Sequence, residues 1–276
     1  AAVARAVVLD APMPSAAPPS SRAGRLGACE DMCAWLRAND AGGLDSVEVV
    51  SAGDGDGCVL RCRRLVGPDE PLLRLPERCL LSPEAAVRRP LGAAIAAALE
   101  SDGQPERRAR LWALLMELLA ARAEADHPWH PYAATLPSSA PGALCWPRWR
   151  LELFEGTALG RAAAAKLAEL RALHDRVSPL LERRHPAFGG RGDVDFGFPQ
   201  LLWALGMHMS RSFSTQHLGL TELRDDAVMV PLFDLADHRA KAPVCWRSDG
   251  QGSVQWLANE ALGPGDEVCN NYGDHS

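Results

Sequence analysis

A long helical block stands between two stretches of strand-like sequence. From about Ser82 to Met209 apolar residues recur at helical spacing, whereas 47–76 and 228–272 carry short β-branched and aromatic runs broken by glycine-rich turns. Such a pattern predicts an α+β chain with a helical middle.

Within the pattern, Gly27–Asn39 reads as a helix with Glu30 and Asp31 in its first turn and Cys29, Met32, Cys33 and Leu36 at helical spacing. Val47–Val50 and Cys58–Leu65 read as strands around a turn that contains Gly53, Gly55 and Gly57, where backbone without Cβ atoms can approach a ligand closely. Pro83-Glu84 opens the helical block. Arg107–Glu124 is its clearest helix, Thr157–Val177 a second that ends or kinks at Pro179, and Phe198–Met209 a third with Pro199 in its first turn. No internal repeat of solenoid period is present.

Net charge is −6 and the pI about 5.8, which argues against general affinity for nucleic acid or an anionic membrane. The most apolar run, Leu111–Ala121, is too short for a transmembrane helix and contains Glu117. Residues 1–26 are rich in Ala, Pro and Ser and read as a disordered leader or the remnant of an organellar transit peptide. The eight cysteines include no CxxC pair, so buried thiols in a reducing compartment are expected, and no metal site. His127 and His130 stand at ligand spacing but offer no third ligand, and packing roles are expected for them.

At the C-terminal end, Val228-Met229-Val230-Pro231-Leu232 leads into the turn Phe233-Asp234-Leu235-Ala236-Asp237-His238. Two strand-like runs, Val244–Arg247 and Ser253–Ala258, then flank an Asp249-Gly250 turn, and Gly263-Pro264-Gly265-Asp266-Glu267 precedes Asn270-Asn271-Tyr272-Gly273. In that order these motifs resemble the C-terminal half of a SET domain, most narrowly the Rubisco large-subunit methyltransferase type. The run Gly67-Pro68-Asp69-Glu70-Pro71-Leu72-Leu73-Arg74-Leu75-Pro76 and the segment Trp129 to Pro137 resemble further signatures of the same family. The resemblance implies a β-rich SET fold split by a helical insertion, with halves at 27–81 and 210–276 and the insertion at 82–209.

It also implies S-adenosyl-L-methionine (SAM) as cofactor and N-methylation of a lysine side chain on a non-histone protein, with a histidine acceptor also known in the group. The turn Asp54-Gly55-Asp56-Gly57 is implied to contact the methionine part of the cofactor. Arg211 lies near the cofactor and substrate cleft, Asp234 near the substrate, and Asp237-His238 stands where the family's Asn-His pair holds the adenine. Tyr272 matches the tyrosine beside the transferring methyl group. Read alone, Arg211 is an ordinary arginine at a helix end.

The chain departs from the family at Asp56, which replaces a basic or bulky residue, and at Asp237, which replaces Asn with a group that only accepts hydrogen bonds. The family's stretch after Tyr-Gly has no counterpart beyond Ser276, so a C-terminally truncated chain is expected. From these departures comes an alternative, a catalytically inactive SET-like module that binds a protein partner. The resemblance further implies a monomeric intracellular protein of the chloroplast or cytoplasm.

Overall fold

The computed structural model describes residues 22–52, 57–184, 194–216, 218–220 and 227–271. They form helices, among them the short α2 (Pro83–Val87), α5 (His130–Ala133) and α6 (Arg148–Glu152), and small antiparallel sheets, the α+β class read from the sequence, and they cluster into two units.

One unit, Ala86–His127 with Pro137–Ser210, is helical. Its centre is α4 (Glu106–Ala123), whose Leu114, Leu115, Leu118 and Leu119 lie against solvent-free surroundings together with Ala113, Met116 and Ala120. A helix apolar on so many sides belongs in a core. It packs beside α3 (Pro90–Ser101). The one carboxylate inside that stripe, Glu117, is 1% exposed and fully engaged. Its Oε2 accepts from Arg89 Nε at 2.7 Å and pairs with His127 Nε2 at 2.9 Å, while Oε1 accepts from Gly92 N–H at 2.9 Å. His127 is thus a packing histidine tied to the helix core.

The helix α7 (Ala158–Arg184) continues through Pro179, so it does not end there, where the sequence predicts a stop or kink. Its buried stripe of Leu170, Leu173, Val177 and Leu181 continues beyond the proline. That burial outweighs the one backbone hydrogen bond lost. In the last helix, α8 (Phe198–Arg211), Gly206 is required by space: a Cβ would meet Ala140 Cβ at 2.7 Å and Cys145 Sγ at 2.9 Å.

The other unit comprises 22–85, Pro128–Leu136 and 211–271. It takes in residues 128–136, which the sequence assigns to the helical block. It opens with α1 (Arg22–Ala38), which begins five residues before Gly27, so Glu30 and Asp31 stand mid-helix rather than in the first turn. Arg, Ala and Leu propagate a helix well enough to carry it through Gly24 and Gly27, at a cost of ~1 kcal/mol each. Three sheets follow. The strands β1 (Val47–Ser51) and β2 (Cys58–Cys62) pair as a hairpin; β3 (Pro71–Pro76) pairs with β7 (Ser253–Ala258), which pairs with β6 (Val244–Ser248); β4 (Ser212–Ser214) pairs with β5 (Ala227–Met229).

The sheet β3-β7-β6 thus joins the N-terminal and C-terminal stretches. The join is reinforced where Val66 and Leu262 exchange both backbone hydrogen bonds, at 2.9 and 3.0 Å. Each of these residues leads into a Gly-Pro turn closed the same way: Gly67 N–H donates to Glu70 Oε2 and Gly263 N–H to Asp266 Oδ2. Strand β2 ends at Cys62, earlier than predicted, because the chain must leave β1 to make this second pairing. Gly43, at φ +79°, lets the loop after α1 press on β3; a Cβ there would lie 2.2 Å from Leu72 O.

The β6–β7 turn is held by Asp249, whose Oδ1 accepts from Gln251 N–H and Ser253 N–H and whose Oδ2 accepts from Arg74 on β3. Partial burial raises its pKa less than these bonds and the Arg74 charge lower it, so the carboxyl lies below its ordinary value of 3.8. A depressed folded pKa means stability that is present above the unfolded value and is lost as pH falls through the folded one. Asp249→Ala is therefore expected to cost about 1–3 kcal/mol at pH 7 in urea unfolding, with the difference from the parent shrinking below about pH 3.8. A deficit independent of pH down to pH 2 would contradict this.

Among the described residues, no helix is long and apolar enough to cross a membrane.

Candidate functional site

The buried charge of the β-rich unit is at Asp234, in the one-turn 3-10 helix Phe233–Leu235 that follows β5. That turn is set up by Leu232, which adopts φ +72° and so reverses the chain; β5 accordingly stops at Met229, short of the strand read to Leu232. A branched residue in the left-handed region is strained, and such strain persists only where surrounding packing holds it. Here Leu232 and Phe233 are fully buried.

The Asp234 side chain is 1% exposed. Its Oδ2 accepts at 3.0 Å from Tyr132 Oη–H and at 3.0 Å from Arg211 Nη1–H, which also donates to the Asp234 carbonyl. Oδ1 has no hydrogen-bond partner. Burial pushes the Asp234 carboxyl up from its ordinary value, against the pull of Arg211 and of the Tyr132 hydroxyl. Burial also raises the Tyr132 hydroxyl well above 10, and the facing carboxylate adds to it. The structure thus turns Asp234 inward, to hold Arg211, which itself keeps 18% exposure. Sequence reasoning places Asp234 at the substrate; its carboxylate has no open surface with which to touch one. Tyr132 was legible only as part of a structural Trp-x-x-Tyr segment, and its bond across to Asp234 had no signal in the sequence.

Beyond Asp234 the chain emerges at Asp237 and His238, both exposed. The C-terminal segment runs beside them: Asn270 N–H donates to Asp237 O at 2.8 Å, and Arg239 N–H donates to Asn270 O at 2.9 Å, a parallel bridge between His238 and Asn270. On its other side the same segment pairs antiparallel with β2. Arg61 bridges Glu267, and Val268 N–H donates to Leu60 O at 2.8 Å. The two β-rich ends of the chain therefore meet, and the C-terminal segment is laid between β2 and the turn at 237–239. Gly57, at the head of β2, is exposed.

Of the residues implied by the resemblance, Gly57, Arg211, Asp234, Asp237 and His238 all fall within this one unit. Asp54, Gly55, Asp56 and Tyr272 lie outside the described residues, as does most of the 1–26 leader. A cavity of about 270 Å³ lies between α1 and β1, lined by Cys29, Cys33, Arg37, Val47, Val49 and Leu232; it contains none of the residues just named. Burial and the neighbouring Cys58 push the Cys29 thiol up to about 12, so it stays protonated at neutral pH. Among the described residues, no group of three or more His, Cys, Asp or Glu is placed to hold a metal ion.

This arrangement, a short β2 hairpin, a three-stranded sheet joining both ends and a C-terminal strand laid against the 237–239 turn, is the SET-domain fold. Within that fold, the form is the one found in Rubisco large-subunit methyltransferase (LSMT). The SET domain of LSMT solved with lysine and S-adenosylhomocysteine superposes with a TM-score of 0.70 at 17% identity, covering 91% of this chain and 54% of that one. Rubisco LSMT solved with SAM gives 0.68, at 17% identity and 90% and 53% coverage.

Three curated proteins are similar in sequence. The ribosomal lysine N-methyltransferase set10 of Schizosaccharomyces pombe is 34% identical over 80 residues, 28% of this chain and 14% of that protein. The actin-histidine N-methyltransferase of Drosophila melanogaster is 24% identical over 274 residues, 91% of this chain and 47% of that protein. The chloroplastic Rubisco large-subunit N-methyltransferase of Nicotiana tabacum is 26% identical over 192 residues, 67% and 34% of the two. The chain spans about half the length of these relatives or less. No model of a known protein family matches it.

Proposed function

We propose that the chain is a SAM-dependent protein methyltransferase of the SET class, acting on a lysine side chain of a non-histone protein as a monomer. The observation that carries this reading is the lodging of the Asn270 segment between β2 and Asp237–Arg239, which gathers three sequence-distant pieces at one place. When bound, SAM supplies a methyl group on a positively charged sulfur.

The residues present suit such a ligand. Arg211, oriented by Asp234, offers a planar fork of donors suited to the cofactor's carboxylate. By the resemblance, residues 54–57 are assigned to the methionine part of the cofactor and Asp237-His238 to its adenine. Asp234 acts by positioning Arg211 and not by meeting substrate. Tyr272 is assigned to alignment of the acceptor amine, which must first lose its proton. From a lysine pKa of about 10.4 this costs roughly 4 kcal/mol near neutral pH, a cost that a dry channel reduces by disfavouring the ammonium.

Calorimetric titration tests the reading: SAM is expected to bind with a Kd on the order of micromolar, and absence of binding up to about millimolar would favour the inactive binding module instead. Arg211→Lys keeps the charge but loses the fork, and is expected to weaken SAM at least about tenfold, since roughly 1.4 kcal/mol corresponds to each tenfold. Equal affinity would remove Arg211 from the cofactor site. A histidine acceptor is the second reading, supported by the fly actin-histidine relative aligned over 91% of the chain. Amino-acid analysis of the methylated product separates the two.

A further inference from the structure

We propose that Tyr132, carried by α5, is a positioning residue for the cofactor's carboxylate: its hydroxyl holds Asp234 Oδ2 where that oxygen fixes the guanidinium of Arg211. This rests on the SAM reading above and gives a function to a segment that the resemblance treats as structural.

The first support is geometry. Two donors converge on one oxygen: Tyr132 Oη–H and Arg211 Nη1–H both reach Asp234 Oδ2 at 3.0 Å, while Oδ1 is buried with no hydrogen-bond partner. A carboxylate beside a guanidinium commonly pairs through both of its oxygens, in two parallel bonds. Here Nη1 instead spans Oδ2 and the carbonyl oxygen of the same residue. The buried hydroxyl sets the rotation of the carboxyl group, and that rotation decides where the guanidinium rests.

Tyr132 is itself held. It is 0% exposed, Thr135 Oγ1–H donates to its carbonyl at 2.7 Å, and Pro131 stands in the first turn of α5, where no N–H is needed. Residues 128–136 cluster with β4 and the 233–235 turn rather than with the helices that flank them in sequence.

Chemistry supplies the second support. A hydroxyl taken out of water costs free energy unless it is bonded, and phenylalanine would fill the same space without that cost. What the hydroxyl serves is the carboxylate. Burial pushes Asp234 towards its neutral form, whereas the Arg211 charge and then the Tyr132 bond pull it back. Burial also keeps the Tyr132 hydroxyl protonated, so it remains a donor. A neutral Asp234 would keep its shape but lose its charge attraction for Arg211, and the guanidinium would no longer be held where a ligand carboxylate needs it.

A hydroxyl that aims Arg211 differs from one that only steadies the fold in which ligand group feels its loss. Tyr132→Phe, Asp234→Asn and the double variant are made in the full chain. The probes are S-adenosylhomocysteine and its decarboxylated form, which keeps the adenosine, the sulfur and the amino group, with affinities from calorimetry. The parent is expected to bind S-adenosylhomocysteine at least about tenfold more tightly than the decarboxylated compound. Tyr132→Phe should weaken S-adenosylhomocysteine about fivefold and the decarboxylated compound less than about twofold, a selectivity that a general loosening of the fold would not produce. In the Asp234→Asn background the same substitution should weaken neither probe further by more than about twofold, because Tyr132 acts through the carboxylate.

Equal losses for the two probes in Tyr132→Phe, no loss for either, a loss that persists in full in the Asp234→Asn background, or a parent that binds both probes equally would overturn the proposal while leaving SAM binding intact. Should Asp234→Asn not fold, the two-probe comparison in Tyr132→Phe decides. Failure of Tyr132→Phe to fold would assign the hydroxyl to the core and overturn the proposal equally. If the parent binds neither probe, the SAM reading falls and this inference with it.

Discussion

Asp234→Ala is expected to lower folding stability by about 3–5 kcal/mol, because it leaves the Arg211 guanidinium partly buried with its carboxylate gone and the Tyr132 hydroxyl with no acceptor. The reason is the asymmetry of buried ion pairs: making one gains little over an apolar pair, whereas breaking one strands a charge. It follows that Arg211→Met combined with Asp234→Leu should cost less than Asp234→Ala alone, a non-additivity that urea unfolding of the single and double variants measures directly. Tyr132→Phe, which removes one hydrogen bond and no charge, should cost about 1–3 kcal/mol. An Asp234→Ala loss of less than about 1 kcal/mol would show that the network does not hold the turn at 232–236.

The second large effect is expected far from the site, at Glu117. Its carboxylate accepts from Arg89, His127 and the Gly92 backbone, and so ties α4 to the start of α3 and to the end of the connection at residue 127. Glu117→Ala removes all three acceptor bonds at once and leaves Arg89 and His127 facing the space vacated by the carboxylate, so a loss of about 3–5 kcal/mol is expected. Glu117→Gln keeps one acceptor oxygen but points an amide N–H toward groups that donate, and should recover less than half of that loss. The comparison distinguishes a buried polar pin from an apolar position that tolerates any side chain of similar volume; an Asp or Glu side chain that could be exchanged for Leu without cost would refute the pin.

Much of the fold was legible because periodicity and turn chemistry act locally. The stripe in 106–123 and the Asp249-Gly250 turn announce a helix and a hairpin whatever lies around them. Pro179 does not end α7 because its cost, one hydrogen bond at an exposed face, is local, while the burial of Val177 and Leu181 that outweighs it is tertiary. For the same reason residues 128–136 read as part of the helical block: their prolines say only that the chain turns, whereas Tyr132 joins the other unit through a hydrogen bond to a residue 102 positions away. At the site, the motifs marked Arg211, Asp234 and His238, but not which of them faces inward.

The lodging of residues 265–270 between β2 and the 237–239 turn also bears on how the chain reaches its native state. Leu60 and Val268 are separated by most of the chain, and contacts so distant must wait until the intervening backbone has been ordered. During synthesis, β2 emerges early and keeps one edge without its final neighbour until residues 265–270 have been made, which makes that edge a place for mispairing with another chain. Completion of the β-rich unit is then a late event, reached only after the residues of the helical unit have been made.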